Sequence, residues 1–162
     1  MRANCIKYGD DISTDLIIAG KYTKTLDLSD LALHCMEDLD KDFHRRVDSE
    51  NCKIIVAGKY FGCGSSREQA PVAIRESGIQ LVVAKSFARI FYRNAVNIGV
   101  PIVECDTDHI DDGDELEYEL GAASLKNRTK GEEYPVAPMP EIMVEIMLDG
   151  GIAKHFRKKG GF

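Results

Sequence analysis

The residues best equipped for chemistry lie in one stretch, Tyr60-Phe61-Gly62-Cys63-Gly64-Ser65-Ser66-Arg67-Glu68-Gln69-Ala70-Pro71. Gly62 and Gly64 permit positive φ and a close approach of backbone to ligand. Ser65 with Glu68, or Ser66 with Gln69, fits the capping box of a helix start. The free N–H groups of such a start attract anions, and Arg67 adds the forked cation that grips a carboxylate. Pro71 would remove a helical hydrogen bond, which moves the true start a residue or two along. Two readings stay open: a capped turn without a ligand, and a site for a carboxylate or phosphate. A serine-hydrolase elbow is excluded, because no glycine follows either serine at the required place. The phosphate loop of the nucleotide hydrolases lacks its Gly-Lys-Ser/Thr ending, and a dinucleotide fingerprint lacks its third glycine.

Little else in the chain offers chemistry. Cys5, Cys35, Cys52, Cys63 and Cys105 form an odd set with no C-x-x-C pair, so they build no local zinc or iron–sulfur ligand run. They are expected to be reduced, structural thiols, with Cys63 packing the turn. His34, His44, His109 and His155 are scattered without metal-ligand spacing, and no metal is expected on this chain. A net charge of -6 disfavours nucleic acid and membrane surfaces as partners. No apolar run approaches the roughly 18 residues of a membrane span. Gly9-Asp10-Asp11 interrupts any N-terminal signal core, so the expected compartment is the cytoplasm.

The elements that must position the turn follow from periodicity. With 162 residues and 44% hydrophobic content, one domain spanning 1–162 is expected. The basic run within 154–162 reads as a solvated tail. Ala3 to Tyr8 reads as a first strand, and Leu16 to Ala19 as a short apolar run. Leu28, Leu31, Ala32, Cys35, Met36 and Leu39 fall at helical spacing behind Asp27 or Ser29 as cap. Continuous apolar runs at 54–57, 79–84 and 100–103 read as buried strands, with helices between them ending near Gly78 and Gly99. Strand–helix repetition at this spacing predicts a parallel βαβ core, an α/β fold. Residues 115–120 alternate like a strand and 124–134 like a hairpin. Pro140 opens a last helix, on which Met139, Met143 and Met147 read as core. The functional turn therefore follows a parallel strand at its C-terminal end, where open α/β sheets place ligands.

Three blocks in order, GDDISTDLIIAGKY at 9–22, GCGSSRE at 62–68 and KSFARIFYRNAVNIGVP at 85–101, closely resemble the small subunits of the 3-isopropylmalate dehydratases. These correspond to the swivelling domain of the aconitase family. The resemblance covers nearly the whole chain. It implies a three-layer β/β/α swivelling domain. It also implies a hydro-lyase that isomerises a hydroxy di- or tricarboxylic acid by dehydration and rehydration. The step belongs to leucine biosynthesis if the acid is 3-isopropylmalate. By motif match, Ser65 is the base that takes a proton from carbon. Ser66, Arg67 and Gly64 match substrate-binding positions, and Asp15 matches an acidic active-site position. The turn supplies N–H donors and a cation for a Ser65 alkoxide. The [4Fe–4S] cluster of the family belongs to a large subunit, so this chain is expected to bind no cofactor. It should act only with that partner, as a heterodimer or heterotetramer.

The resemblance also makes Lys21 to Asp27 a substrate-specificity segment, centred on Tyr22, Thr23, Lys24 and Thr25. Isopropylmalate enzymes tend to carry a neutral or apolar residue where Lys24 stands, and homoaconitate-type relatives an arginine. Lys24 is a cation without the arginine fork. Gln69 stands where many relatives have histidine, and it carries no proton near neutral pH. These departures keep a homoaconitate- or 2,3-dimethylmalate-type substrate open. A carboxylate-binding module without catalysis is the rival from another class. Arg89 and Arg93 share a helix face, as salt-bridged structure or as partner interface.

Overall fold

The computed structural model describes residues 1–25 and 27–160. Leu26 of the expected specificity segment, and Gly161 and Phe162 of the expected tail, lie outside them. Among the described residues one mixed sheet runs through the molecule. Strands β1 (Arg2–Lys7), β2 (Cys52–Ala57), β3 (Leu81–Ala84) and β4 (Ile102–Glu104) are parallel. Strands β5 (Glu115–Glu117), β6 (Ser124–Asn127) and β7 (Glu132–Pro135) continue it antiparallel from β1. The order is β4-β3-β2-β1-β5-β6-β7.

Side-chain alternation sorts the parallel strands into two cores. Ile55, Ala57, Val82, Ala84 and Ile102 face a helical layer, against Phe43, Val47, Ala73, Ile74, Phe91 and Ala95. Ile54, Val56, Leu81, Val83 and Val103 face the other way, against Ile110, Leu116, Leu125 and Tyr134 of the β-rim. Both faces are buried, which is why these runs read as continuously apolar in the sequence. Each fully buried Ile, Val or Leu contributes about 1.5–3 kcal/mol. The layers are helices, parallel sheet and β-rim, the β/β/α arrangement. Helices α1 (Thr14–Ile17), α2 (Leu28–Leu33) and α3 (Phe43–Ser49) link β1 to β2. Helix α4 (Gln69–Glu76) links β2 to β3, and α5 (Arg89–Ile98) links β3 to β4. Helix α6 (Glu141–Leu148) follows Pro140, and Met147 on it is buried while Met139 and Met143 pack against the helix-side core.

Two expectations need correction. The stripe from Leu28 to Leu39 is not one helix. Helix α2 stops at Leu33, Met36 takes φ 62, and its N–H donates to the Ile17 carbonyl at 2.8 Å. The chain thus folds inward at Met36 instead of continuing along the surface, and Cys35 and Met36 are fully buried. The last helix is not α6 either: the basic run is itself helical, with Lys154, Arg157, Lys158 and Lys159 exposed to solvent. Residues Ile152–Lys159 form α7, with Gly151 at φ 112 making the corner. His155 is buried, its Nδ1 2.7 Å from Asp149 Oδ2, and Lys158 Nζ reaches Asp149 Oδ1 at 2.5 Å. Both contacts hold the Asp149 carboxyl below its usual range, through Lys158 first and then His155. Asp149, the residue that caps α6, thus anchors the buried His155 face of α7 while the basic side chains stay in solvent.

Candidate active site

Three chain segments meet beyond the C-terminal ends of β1, β2 and β3. Gly58 N–H donates to the Gly9 carbonyl at 3.0 Å, and Asp11 N–H to Lys59 O at 2.8 Å. Gly62 N–H donates to Ile12 O at 2.7 Å, and Thr14 N–H to Cys63 O at 2.8 Å. On the other flank, Phe61 N–H donates to Ser86 O at 3.0 Å and Ala88 N–H to Phe61 O at 2.9 Å. The segments around 9–14, 58–63 and 85–88 therefore continue the parallel ladder past the formal strand ends. This main-chain stitching satisfies polar groups that a partly buried loop would otherwise strand.

The turn rests on an aromatic floor. Phe61 meets Phe91 edge-on at 5.2 Å and Phe87 at 6.0 Å, while Phe87 and Phe91 stack at 6.1 Å. Such pairs contribute about 0.5–1.5 kcal/mol each beyond area burial. Gly62 sits at φ 81, and a Cβ there would lie 2.2 Å from Phe91 Cγ. Glycine is thus required at position 62 by both conformation and space. Gly64, at φ 95, turns the chain outward so that Gly64, Ser65 and Ser66 are exposed.

Ser65 is held from behind by a residue the motifs did not single out. Thr14 is buried; its hydroxyl donates to the Ser65 carbonyl at 3.0 Å and lies 3.3 Å from Ser65 Oγ. The Thr14 hydroxyl has one proton and can turn it from the carbonyl toward Oγ when Oγ carries charge. The only sequence signal for Thr14 is its place between Ser13 and Asp15. Ser13 caps α1 through Leu16 N–H at 3.3 Å. That cap sets Asp15 on the first turn, where it forms an ion pair with Arg67 Nη1. The same Nη1 donates to the Ile18 carbonyl at 3.3 Å. The Asp15 side chain is 62% exposed and Arg67 25%, so the pair is open to a ligand from one side. Ser65, Ser66, Arg67, Gly64 and Asp15 are therefore brought together.

The capping box is not formed. Helix α4 starts at Gln69 with Glu68 as cap and no side-chain capping bond. Ser65 lies three residues before that cap, so the helix start does not aim its N–H groups at Ser65. Pro71 occupies the first turn, where its missing N–H costs nothing. Gln69 acts elsewhere. Its Nε2 donates to the Thr23 carbonyl at 3.2 Å and ties α4 to the 20–25 segment.

That segment is anchored but leaves its cation free. Tyr22 stacks on His34 at 3.7 Å with 4° between the rings, and Lys21 Nζ lies 4.8 Å from the Tyr22 centroid. His34 Nδ1 lies 2.6 Å from Glu37 Oε2. Thr23 Oγ1 donates to Gly20 O at 2.8 Å, and Thr25 Oγ1 accepts from Asp27 N–H at 3.1 Å. Lys24 is exposed and has no side-chain partner among the described residues.

Cys63 beside the turn is half-buried, and burial raises its thiol above the ordinary range, with Asp11 adding to the effect. It is therefore protonated near neutral pH and a poor nucleophile. Burial likewise pushes Cys5, Cys35 and Cys105 up to about 12. Among the described residues no three His, Cys, Asp or Glu side chains gather to hold a metal ion. A separate hollow of about 460 Å³ between the β-rim and α6 is lined by Glu119, Glu141 and apolar groups. Its charge repels the carboxylates that Arg67 attracts.

The family model of the aconitase C-terminal domain matches residues 9–107, the span that contains all three stitched segments. The chain belongs to the aconitase C-terminal domain family. Its relatives in that family extend over nearly the whole length. It is 55% identical over 153 residues to the 3-isopropylmalate dehydratase small subunit of Caldicellulosiruptor bescii, covering 93% of this chain and 91% of the relative. It is 52% identical to 3-isopropylmalate dehydratase small subunit 2 of Archaeoglobus fulgidus, covering 95% and 93%. The crystal structure of 3-isopropylmalate dehydratase (leuD) from Methanocaldococcus jannaschii superposes with a TM-score of 0.91 at 43% identity, over 98% of this chain and 94% of that one. The expected aconitase-type swivelling fold is thereby established.

Within this aconitase-family site, Gly20 sets the path of Arg67. A Cβ at Gly20 would lie 3.0 Å from Arg67 Nη2. The guanidinium would have to yield by a few tenths of an ångström. Gly20→Ala is therefore expected to lower kcat/KM about three- to tenfold, mostly through KM, because misplacement of an orienting group raises the barrier steeply. The melting temperature should stay unchanged, since position 20 does not need positive φ. Steady-state kinetics beside a thermal melt check this; unchanged KM would separate Gly20 from Arg67.

Proposed function

We propose that this chain is the small subunit of a two-chain hydro-lyase of the 3-isopropylmalate dehydratase type, acting in the cytoplasm in leucine biosynthesis. The observation that carries the reading is the joint presentation of Ser65 Oγ and the Arg67 fork at the stitched end of β2, in a chain about half identical to small subunits over nearly its full length.

In this reading Arg67 holds a substrate carboxylate, with Asp15 fixing the fork from the other side. Ser66, exposed and without a side-chain partner among the described residues, donates a further hydrogen bond. Ser65 Oγ, as alkoxide, takes the proton from the carbon next to that carboxylate. The C–H electron pair forms the double bond as hydroxide leaves the neighbouring carbon, and reversal with the two carbons exchanged completes the isomerisation. Thr14 turns its proton to Oγ in the alkoxide state, and Arg67 lowers the cost of that charge. A [4Fe–4S] cluster does not fit this chain. Cys5, Cys35, Cys52 and Cys105 are dispersed through the core, with no gathering of ligands among the described residues. The cluster and its chemistry are assigned to a large subunit, and no step here passes through it.

The test is anaerobic co-production with a cluster-bearing large subunit, followed by assay of 3-isopropylmalate turnover by the complex and by each chain alone. Turnover by the complex only is the expected result. Turnover by this chain alone would overturn the two-chain reading, and stable binding of the diacid without turnover would favour the carboxylate-binding module.

A second reading rests on Lys24, an exposed cation beside the site. It would serve a third carboxylate in a homoaconitate-type substrate, or a dimethylmalate-type diacid would leave it in solvent. Lys24→Leu is expected to shift the kcat/KM ratio toward 3-isopropylmalate and away from homoaconitate by about three- to tenfold, the scale of a partly exposed ion pair. Competition assays with both acids measure the ratio. An unchanged ratio would remove Lys24 from substrate selection.

A further inference from the structure

One face of α5 is left unpartnered right beside Ser65. Arg89 and Arg93 stand one turn apart, both exposed, and neither side chain has a hydrogen-bond or ion-pair partner among the described residues. This is unusual for the chain. Arg2, Arg45, Arg46, Arg67, Arg75 and Arg128 all lie against carboxylates, and of the other arginines only Arg157 on α7 shares the unpaired state among the described residues. The chain has 27 acidic residues, yet among the described residues none is within ion-pair distance of these two. The salt-bridged alternative for Arg89 and Arg93 is thereby ruled out among the described residues.

Around the arginines the surface is apolar and held in a costly shape. Ile90 is 44% exposed and Tyr60 54%. Tyr60 takes φ 61, a conformation that a bulky side chain rarely adopts. Its N–H is pinned to Ser86 Oγ at 2.9 Å. Strain of this kind persists where the surrounding structure imposes it and clusters at functional positions. Tyr60, Ile90, Arg89 and Arg93 line one groove of about 650 Å³ together with Ser65. The groove is open, whereas small-ligand sites enclose 70–90% or more of their ligand. A small hydroxy acid at Ser65 would leave Tyr60, Ile90 and the two arginines facing water. The composition, tyrosine and arginine around an aliphatic residue, is that of a protein-interface hot spot.

We propose that the Tyr60–Arg89–Ile90–Arg93 face seats an acidic, apolar-edged surface of the large subunit as that subunit closes over Ser65. The inference rests on the two-chain reading above. The net charge of -6 repels an acidic partner surface in general, so two unpaired arginines beside Ser65 mark the one docking position that brings the reacting groups together.

The test titrates the large subunit with this chain under anaerobic conditions and reads Kd by sedimentation and by appearance of turnover, at low and moderate salt. Arg89→Glu/Arg93→Glu is expected to raise Kd at least tenfold and to weaken its salt dependence. The kcat at saturating small chain should remain within about twofold. Arg89→Gln/Arg93→Gln should give a smaller loss in the same direction, and Lys126→Glu, on the β-rim, no loss. Thermal melts of the variants guard against misfolding. Wild-type binding with an unchanged Kd for the double reversal overturns this surface alone. An unchanged Kd with a raised KM gives the arginines to the substrate and also overturns it. Failure of the wild-type chain to bind the large subunit overturns the two-chain reading and this surface with it.

Discussion

Ser65→Ala is expected to lower kcat of the two-chain enzyme by about 10²–10⁴-fold, the range attributed to a positioned general base. Association with the large subunit and thermal stability should stay near wild type. The reasons are local. Ser65 is exposed, and among the described residues its Oγ makes one hydrogen bond, 3.3 Å to Thr14 Oγ1. The turn is held by main-chain bonds from Gly62 and Thr14 and by the phenylalanine floor, none of which use Oγ. Alanine therefore removes the base and leaves the scaffold. The companion variant Thr14→Val should give a smaller loss, because it removes only the hydroxyl that steadies Oγ. Measured kcat for Ser65→Ala within threefold of wild type would assign the proton to another group.

Arg67→Lys is expected to cost about a hundredfold in kcat/KM, although the charge is kept. A charge-assisted hydrogen bond contributes roughly 1.5–3 kcal/mol, and the forked pair offers two. The lysine ammonium is a single point and cannot meet Asp15, the Ile18 carbonyl and a substrate carboxylate at once. Stability should fall by less than about 1 kcal/mol, because the Asp15–Arg67 pair is partly open to water. Kinetics and melts on the same preparation separate the two effects. A large stability loss with kinetics unchanged would make Arg67 a structural residue.

The parallel core was legible because its strands are buried on both faces. The runs at 54–57, 79–84 and 100–103 became β2, β3 and β4 with ends shifted by two residues or fewer, and Gly99 ends α5 at φ 83. Ser65, Ser66, Arg67 and Asp15 were legible as residues, through the order of three blocks, and the structure supplies their meeting point. What stayed hidden depends on contacts far apart in sequence. Gln69 looks like a capping residue, and only the proximity of Thr23, 46 positions away, redirects it. Thr14 is one more loop threonine until Ser65 packs on it from 51 positions on. The helix formed by the basic run at the end gives no sign of itself until Asp149 and His155 are seen to meet. Met36 in the left-handed region could not be foreseen, since methionine has no preference for it.

The stitching around 9–14, 58–63 and 85–88 has an evolutionary side. Its bonds run between backbone amides and carbonyls, which every residue but proline can supply. The ladder itself therefore asks little of side-chain identity, while Thr14, Phe61, Gly62 and Phe87 on these segments are held by the contacts that support the Ser65 turn. Under the proposed function, gene duplicates of such a subunit would change what they accept by mutating the Tyr22–Thr25 segment while inheriting the Ser65 turn intact. A lineage with this architecture explores new acids without first having to rebuild its catalytic end.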